Sequence, residues 1–172
     1  MTSSATESRL GEAARGEGRP KGRCVGGYME VAAPAGIVWD IVANFDGWGA
    51  WNPLYTRAAG DAREGAEIEL TVAVPGMKPM DTRARVHTVR PGECLEYGLS
   101  NMAGLLRAFR FIDIVELGPE RCGIANGEIM SGPIGALVAR AVGPKVGEGL
   151  RAMNDRLKEL AEASWENRAA AG

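Results

Sequence analysis

The chain has 172 residues, 45% of them apolar and 24% charged, with a formal net charge of −2. Those figures fit one globular domain able to bury a core without disulfides, and they exclude the strong basic field that draws proteins to nucleic acid or anionic membranes. Cys24, Cys94 and Cys122 are far apart and odd in number, which argues against a disulfide framework and suits a reducing cytoplasm.

Residues 1–22 are rich in Ser, Ala, Gly, Glu and Arg, with Leu10 as the one sizeable aliphatic group after the first methionine. Such a segment buries too little surface to offset its ordering entropy, so a flexible tail is expected. It also lacks a basic start followed by an apolar run, so no secretory signal is expected and the cytoplasm is the expected compartment. Cys24 to Val31 reads as a first strand, with Val25, Tyr28 and Val31 apolar and Gly26-Gly27 weakening its middle. Pro34 then opens a helix, because its missing N–H would go unsatisfied in the first turn anyway. Ile37, Val38, Ile41, Val42 and Phe45 recur at helical spacing and define one buried stripe. Asn44, Asp46 and Gly47 stop the helix, and Trp48, Trp51 and Pro53 crowd the connection that follows. A helix this short must lie against something larger, and a sheet is expected.

The run Val38-Trp39, Ile41-Val42, Asn44-Phe45, Trp48 and Trp51-Asn52-Pro53 resembles the signature of the SRPBCC superfamily, in particular its polyketide cyclase/dehydrase-like branch. That superfamily includes the START lipid-transfer domains and the birch-pollen allergen. The resemblance covers Cys24 to Ala163. It implies an α+β helix-grip fold, a curved antiparallel β-sheet wrapped around a long C-terminal helix with an internal apolar cavity. On this reading residues 23–165 form the domain and residues 166–172 a flexible C-terminus. Enzymes, carriers and binding proteins all share the fold, so the resemblance speaks to architecture before chemistry.

Further along, Thr56 to Ala62 is a poor strand, credible mainly through the resemblance. Ile68, Leu70, Val72 and Val74 alternate strictly with Glu67, Glu69 and Thr71, so one face of that strand is buried and the other wet. Pro75 to Met80 cannot continue it. Thr82 to Val89 resumes, with Ala84 and Val86 on one face and Arg83, Arg85 and His87 on the other. In Arg90-Pro91-Gly92-Glu93, Pro and Gly stand where a type II turn wants them, so a hairpin is expected. Leu95, Tyr97 and Leu99 form the inward face of the next strand, and Ser100 to Leu106 reads as a loop exposing Met102, Leu105 and Leu106. Ala108 to Leu117 and Cys122 to Met130 are two strands of open facing, because Phe109, Phe111 and Val115 compete with Ile112 and Ile114 for the buried side. The apolar run Ile134 to Val142 is interrupted by Arg140 and falls short of the roughly 20 residues a membrane-spanning helix needs. Pro144 would break an interior turn at about 3 kcal/mol. Two helices are therefore expected, Pro133 to Val142 and Pro144 to about Trp165, the second carrying a stripe of Val146, Leu150, Met153, Leu157 and Leu160.

His87 is the only histidine and shares a strand face with Arg83 and Arg85, so nucleophilic chemistry of the Ser/His or Cys/His type has no base. No grouping of ligand side chains has metal spacing, and Gly143 to Gly149 matches neither phosphate-binding glycine pattern. Neither metal nor cofactor is expected. Paired carboxylates could come from Asp113 and Glu128 if both face inward. Glu128 has the parity of Ile124, Asn126 and Met130, and inside an apolar cavity its raised pKa would suit proton transfer. The competing reading is a solvated strand face or an ion pair with Arg107 or Arg110. The resemblance implies pocket walls at Trp51, Tyr97 and Phe111. Leu70, Val72, Asn126, Val146 and Leu150 complete the expected ligand-binding set, with Glu128 and Tyr97 as the candidate catalytic groups. The strand from Ala108 lacks a histidine that some relatives carry there, a departure from their cyclase chemistry. The expected function is binding of a small hydrophobic molecule, either by a cyclase/dehydratase-like enzyme or by a non-catalytic carrier of a lipid, quinone or aromatic metabolite. An interaction protein using the Met102 to Leu106 loop ranks below both. Polar groups converging in the pocket would favour the enzyme, and an all-apolar pocket the carrier. No nucleic-acid partner or transmembrane segment is expected, and nothing in the pattern specifies an oligomeric state.

Overall fold

Alternation along the strands builds the architecture. In β3 (Glu67–Val72) Ile68 and Leu70 are buried while Glu67 and Glu69 are exposed, as their period of two requires. The computed structural model describes residues 2–101 and 105–171. In chain order these form α1 (Thr2–Ala13), β1 (Arg23–Val31), α2 (Ala35–Val42), a 3-10 turn (Phe45–Ala50), β2 (Tyr55–Ala59), β3, β4 (Met80–Arg90), β5 (Cys94–Asn101), β6 (Leu106–Gly118), β7 (Arg121–Ser131) and α3 (Gly135–Ala170). The seven strands make one antiparallel sheet in the order β1-β7-β6-β5-β4-β3-β2. It curls around α3, whose Val146, Leu150, Met153 and Leu157 are buried against its concave side. This is the expected α+β helix-grip arrangement. Among the described residues no helix is long and apolar enough to cross a membrane.

The turn after α2 is held by its rings. Phe45, Trp48, Tyr55 and Tyr97 meet at tilted or edge-on angles with centroids 4.9 to 6.3 Å apart. Trp48 Nε1 donates to the Val42 carbonyl (3.1 Å), and Asn52 Oδ1 accepts from the backbone of Leu54 (3.0 Å) and Tyr55 (3.1 Å). The Arg90–Glu93 hairpin closes as expected, with Glu93 N donating to Arg90 O (2.9 Å) and Gly92 at φ +78°. The β4–β5 ladder ends at the Arg85–Gly98 pair, although β4 pairs with β3 as far as Met80 and β5 with β6 as far as Asn101. Beyond Arg85 and Gly98 the two strands part.

Three expectations are corrected. The segment read as a flexible tail is docked on the convex face of the sheet, where Leu10, Ala13 and Ala14 pack around Phe111, Ala125 and Ile129. Behind α1, Arg19 lies with its guanidinium 4.2 Å over the Phe111 ring, its Nε 2.7 Å from Glu96 Oε1 and its Nη2 2.6 Å from Asp113 Oδ1. One cation with two carboxylates and a ring supplies the anchorage that apolar content does not. Pro144 does not divide the C-terminal region, because α3 runs unbroken from Gly135 to Ala170. The ring removes the N–H that would have gone to the Arg140 carbonyl and crowds that carbonyl, but neither effect ends the helix. A Cβ at neighbouring Gly143 would stand 3.4 Å from Val25, and one at Gly149 only 2.8 Å from Leu54, so helix glycines serve close packing on the sheet. The residues after Trp165, expected to be flexible, continue this helix, and Arg168 Nη2 reaches Asp40 of α2 at 3.7 Å.

The facing of β6 is also decided. Arg110, Ile112 and Ile114 lie on the concave side, while Phe109, Phe111 and Asp113 lie on the convex side beside the α1 segment. His87 is exposed and stacks on Phe109 at 5.5 Å. Of the loop residues read as exposed, Met102 lies outside the described residues and Leu105 is exposed, but Leu106 is half-buried at the start of β6, and Ser100 and Asn101 end β5 instead of opening a loop.

Candidate functional site

Tyr97, Arg110 and Glu128 stand directly opposite one another across β5, β6 and β7. Cross-strand neighbours on one face are about 5 Å apart, so phenol, guanidinium and carboxylate form a single row on the concave side. Asn126, two residues from Glu128 along β7, fixes the middle of that row. Arg110 Nη2 donates to Asn126 Oδ1 (2.8 Å), and Asn126 Nδ2 donates to Asn154 Oδ1 of α3 (2.7 Å). Tyr55 places its ring 5.9 Å from the guanidinium.

This clamp occupies Nη2 of the Arg110 guanidinium. Nε and Nη1 have no hydrogen-bond partner among the described residues, and neither has the Tyr97 hydroxyl. Glu128 Oε2 is 4.0 Å from Nε, too far for a hydrogen bond, with the side chains of Arg110 and Glu128 only 3% and 14% exposed. Burial raises the Glu128 pKa above the ordinary carboxylate range, and the nearby Arg110 charge opposes that rise without cancelling it. Burial pulls the Arg110 pKa down, but the net shift is upward, with Glu128 the neighbouring carboxyl that favours the charged form, and the guanidinium stays charged. Tyr55 is held as the neutral phenol, chiefly by burial.

Beside the row lies a cavity of about 140 Å³, walled by Leu70 and Val72 of β3 and by Val138, Val142 and Val146 of α3. An apolar cavity of roughly this size, about 150 Å³, accommodates a benzene ring. The space therefore suits one ring-sized apolar group, with the polar row along one wall. Two unpaired buried N–H groups can bind an oxygen, and a carboxyl of raised proton affinity beside them can give or take a proton.

Of the residues singled out from the sequence, Tyr97, Glu128, Leu70, Val72 and Val146 line this cavity. Four do not. Trp51 packs on the outer side of the ring cluster, its ring 6.2 Å from that of Trp48, beside α2 and the distal part of α3. Phe111 sits on the convex face under Arg19, because strand parity places it opposite to Arg110. Asn126 is fully buried behind Arg110 as its support, and Leu150 is fully buried packing in the core. Asp113 is no partner for Glu128, being on the other face with Arg19. Tyr55 and Asn154 went unnoticed: Tyr55 begins a five-residue strand with no clear alternation, and Asn154 sits next to Met153 in the apolar stripe. Among the described residues no group of His, Cys, Asp or Glu could hold a metal ion.

The family model described as "Polyketide cyclase / dehydrase and lipid transport" matches residues 25–162. No curated protein matches the chain. Among solved structures, a START superfamily protein from Mycobacterium smegmatis superposes with a TM-score of 0.61 at 20% identity, covering 85% of this chain and 99% of that one. Norcoclaurine synthase from Thalictrum flavum, solved with dopamine and hydroxybenzaldehyde, gives 0.61 at 19% identity over 80% of this chain and 85% of that one. The ZhuI aromatase/cyclase from Streptomyces sp. R1128 gives 0.59 at 21% identity over 87% and 98%. At such identities these likenesses concern the fold.

Proposed function

The chain belongs to the polyketide cyclase/dehydrase and lipid transport family, and from that premise we propose that it binds a small, largely apolar carbonyl compound in the concave cavity and catalyses proton transfer on it. One observation carries this reading: Nε and Nη1 of buried Arg110 have no partner, while Glu128 stands 4.0 Å away beside the same cavity. A buried donor left unpaired costs about 1–3 kcal/mol, which a ligand oxygen would recover. In a cyclase/dehydratase cycle the Glu128 carboxylate takes a proton from the carbon next to the bound carbonyl. The electron pair moves onto the oxygen, held by Arg110. The enolate so formed attacks a second carbonyl carbon of the same molecule, and Glu128 returns its proton to the resulting alkoxide, leaving a hydroxyl. For dehydration the Glu128 carboxylate takes the second proton from the same carbon, that electron pair forms the C=C bond, and the proton goes to the departing hydroxyl, which leaves as water. Tyr97 is a second donor for either oxygen. Norcoclaurine synthase in complex with dopamine and hydroxybenzaldehyde, and the ZhuI aromatase/cyclase, support the reading by analogy of fold. It takes the protein to work in the cytoplasm, where its three free thiols stay reduced.

Titration with acetophenone and with ethylbenzene tests the first half of the proposal, since the two differ by the carbonyl oxygen. The ketone should bind more tightly, and Arg110→Met should erase the difference. Equal affinities in the unaltered protein would overturn it. The aliphatic remainder of the cavity supports a second reading, a carrier, in which ligand binds but no bond changes.

A further inference from the structure

On the convex side a second depression of about 700 Å³ crosses β4, β5 and β6, with Glu17, Gly18 and Pro20 of the N-terminal segment on its rim. Its floor is low because Gly98 contributes no side chain, and its wall is the His87–Phe109 stack. Ala84, Gly98, Leu99 and Ala108 line both this groove and the concave cavity. In an intact sheet the two faces are separated by a backbone layer, and the cavity-facing Ala84 and Leu99 would be hidden from the convex side. They are shared here because the β4–β5 ladder stops at Arg85–Gly98. The place where the strands part is thus the place where the two spaces share one thin wall, built of Ala84, Gly98, Leu99 and Ala108.

The charges around the opening are unevenly used. Glu96 is taken by Arg19 (2.7 Å), and Glu67 faces Arg83 (3.3 Å). Arg85 and Arg107 are exposed in the groove with no ion pair or hydrogen bond among the described residues, leaving Glu17 as the groove's other carboxylate. Ser131, directly opposite Arg107 in the β6–β7 ladder and 8% exposed, keeps its hydroxyl oxygen buried with no partner. Two unpaired cations, Arg85 and Arg107, in the groove over an apolar space match a ligand with an apolar body and an acidic end.

We propose that the gap between β4 and β5 is a portal, and that the ligand is an amphipathic acid whose ring lies in the concave cavity while its anionic group sits outside on Arg85 and Arg107. This rests on the cavity being the binding site and deepens that reading by assigning the ligand an acidic end and a direction of entry. The acid end faces the convex groove, and the carbonyl-bearing end faces Arg110.

The test is calorimetric titration with 4-phenylbutyrate and 4-phenyl-1-butanol, which share a phenyl ring and chain and differ in the charge at the far end. The acid should bind about tenfold or more tightly than the alcohol at low salt, in line with charge-assisted hydrogen bonds being roughly twice as strong as neutral ones. Arg85→Ala/Arg107→Ala should remove that preference while leaving alcohol affinity within about twofold, which also reports that the cavity is still formed. Both substitutions are on exposed side chains, and a circular dichroism melt checks the fold. An acid preference that survives in the double variant but is lost in Arg110→Met would overturn the portal, since the carboxylate would then lie inside the cavity. Equal binding of acid and alcohol to the unaltered protein would overturn it too, with the cavity reading intact. If neither compound bound, the cavity reading would fall with it.

Discussion

Arg110 and Glu128 are direct neighbours across the β6–β7 ladder, yet their closest approach is 4.0 Å. The reason is that Asn126, anchored to Asn154 on α3, draws the guanidinium to its own side by a 2.8 Å hydrogen bond. An Arg–carboxylate pair free to choose would close to a two-pronged contact. Held apart, it leaves donors and a carboxyl available to a third party.

The first expectation concerns Glu128→Gln. If the site is catalytic, turnover should fall by about 10² to 10⁴ while ligand affinity stays within a few-fold, because shape is kept and the transferable proton is lost. Product analysis with candidate aromatic or polyketide substrates, run beside ligand titration, measures both. Altered affinity with no turnover by either protein would leave the carrier as the surviving reading.

The same substitution should change how stability depends on pH. Burial raises the Glu128 pKa from its ordinary 4.5, so the folded state holds this proton more tightly than the unfolded state. The associated stability is present below the ordinary pKa and is lost as pH rises through the raised one. Glu128→Gln carries no such loss, so its stability relative to the natural protein should improve from about pH 4 upward and then level off. Urea unfolding of both proteins across that range would show it, and a constant difference would mean the carboxyl is not perturbed by folding.

Arg19→Met should destabilise the protein by roughly 2–4 kcal/mol, below the top of the range for breaking a fully buried pair because water can reach part of Asp113. The side chain is 4% exposed and its partners Glu96 and Asp113 are 11% and 21% exposed. A chain beginning at Lys21 should lose at least as much. Cys94 gives a local readout. Burial and the neighbouring Asp113 push its thiol up to about 12, with Arg19 opposing them, so alkylation there should be slow and should quicken on loss of Arg19 only because the segment undocks and uncovers the buried thiol. Unchanged melting and unchanged Cys94 labelling would mean that the segment is not docked in solution.

Leu157, fully buried on the stripe of α3, should cost about 2–5 kcal/mol when cut to Ala. A loss within the surface range of about ±0.5 kcal/mol would place this face of the helix away from the sheet.

What could be read in advance tracks how each residue is covered. Strand β3 and helix α2 each have one buried face, so their periods of two and 3.6 are legible as a half-buried strand and a short helix lying on a sheet, while the grip around the C-terminal helix was implied by the family resemblance. Strand β6 is covered on both sides, by α3 on Arg110, Ile112 and Ile114 and by the α1 segment on Phe109 and Phe111, so its pattern carries no facing. Trp51, on the other hand, is packed against the ring cluster from outside, and aromatic character alone could not distinguish that from a cavity wall. The N-terminal segment hid its docking because the anchorage is one cation finding two carboxylates 77 and 94 residues away. The parity of Glu128 with Met130 was readable and does bring it to the cavity wall. Arg110 was weighed only as a partner for that carboxylate, because a charged residue in a strand of open facing reads first as solvent-exposed.

The separation of Arg19 from Asp113 along the chain bears on the order of folding events. Strand β1 pairs with β7, about a hundred residues later in the chain, a long-range topology of the kind that folds slowly. The Arg19 contact needs β5 and β6 in place on the convex side, so it is expected to form after the sheet has closed. Interactions absent from the transition state slow unfolding and leave the folding rate almost untouched. The segment in front of β1 is therefore expected to act as a latch on lifetime: its loss should shorten the survival of the folded molecule without delaying its formation.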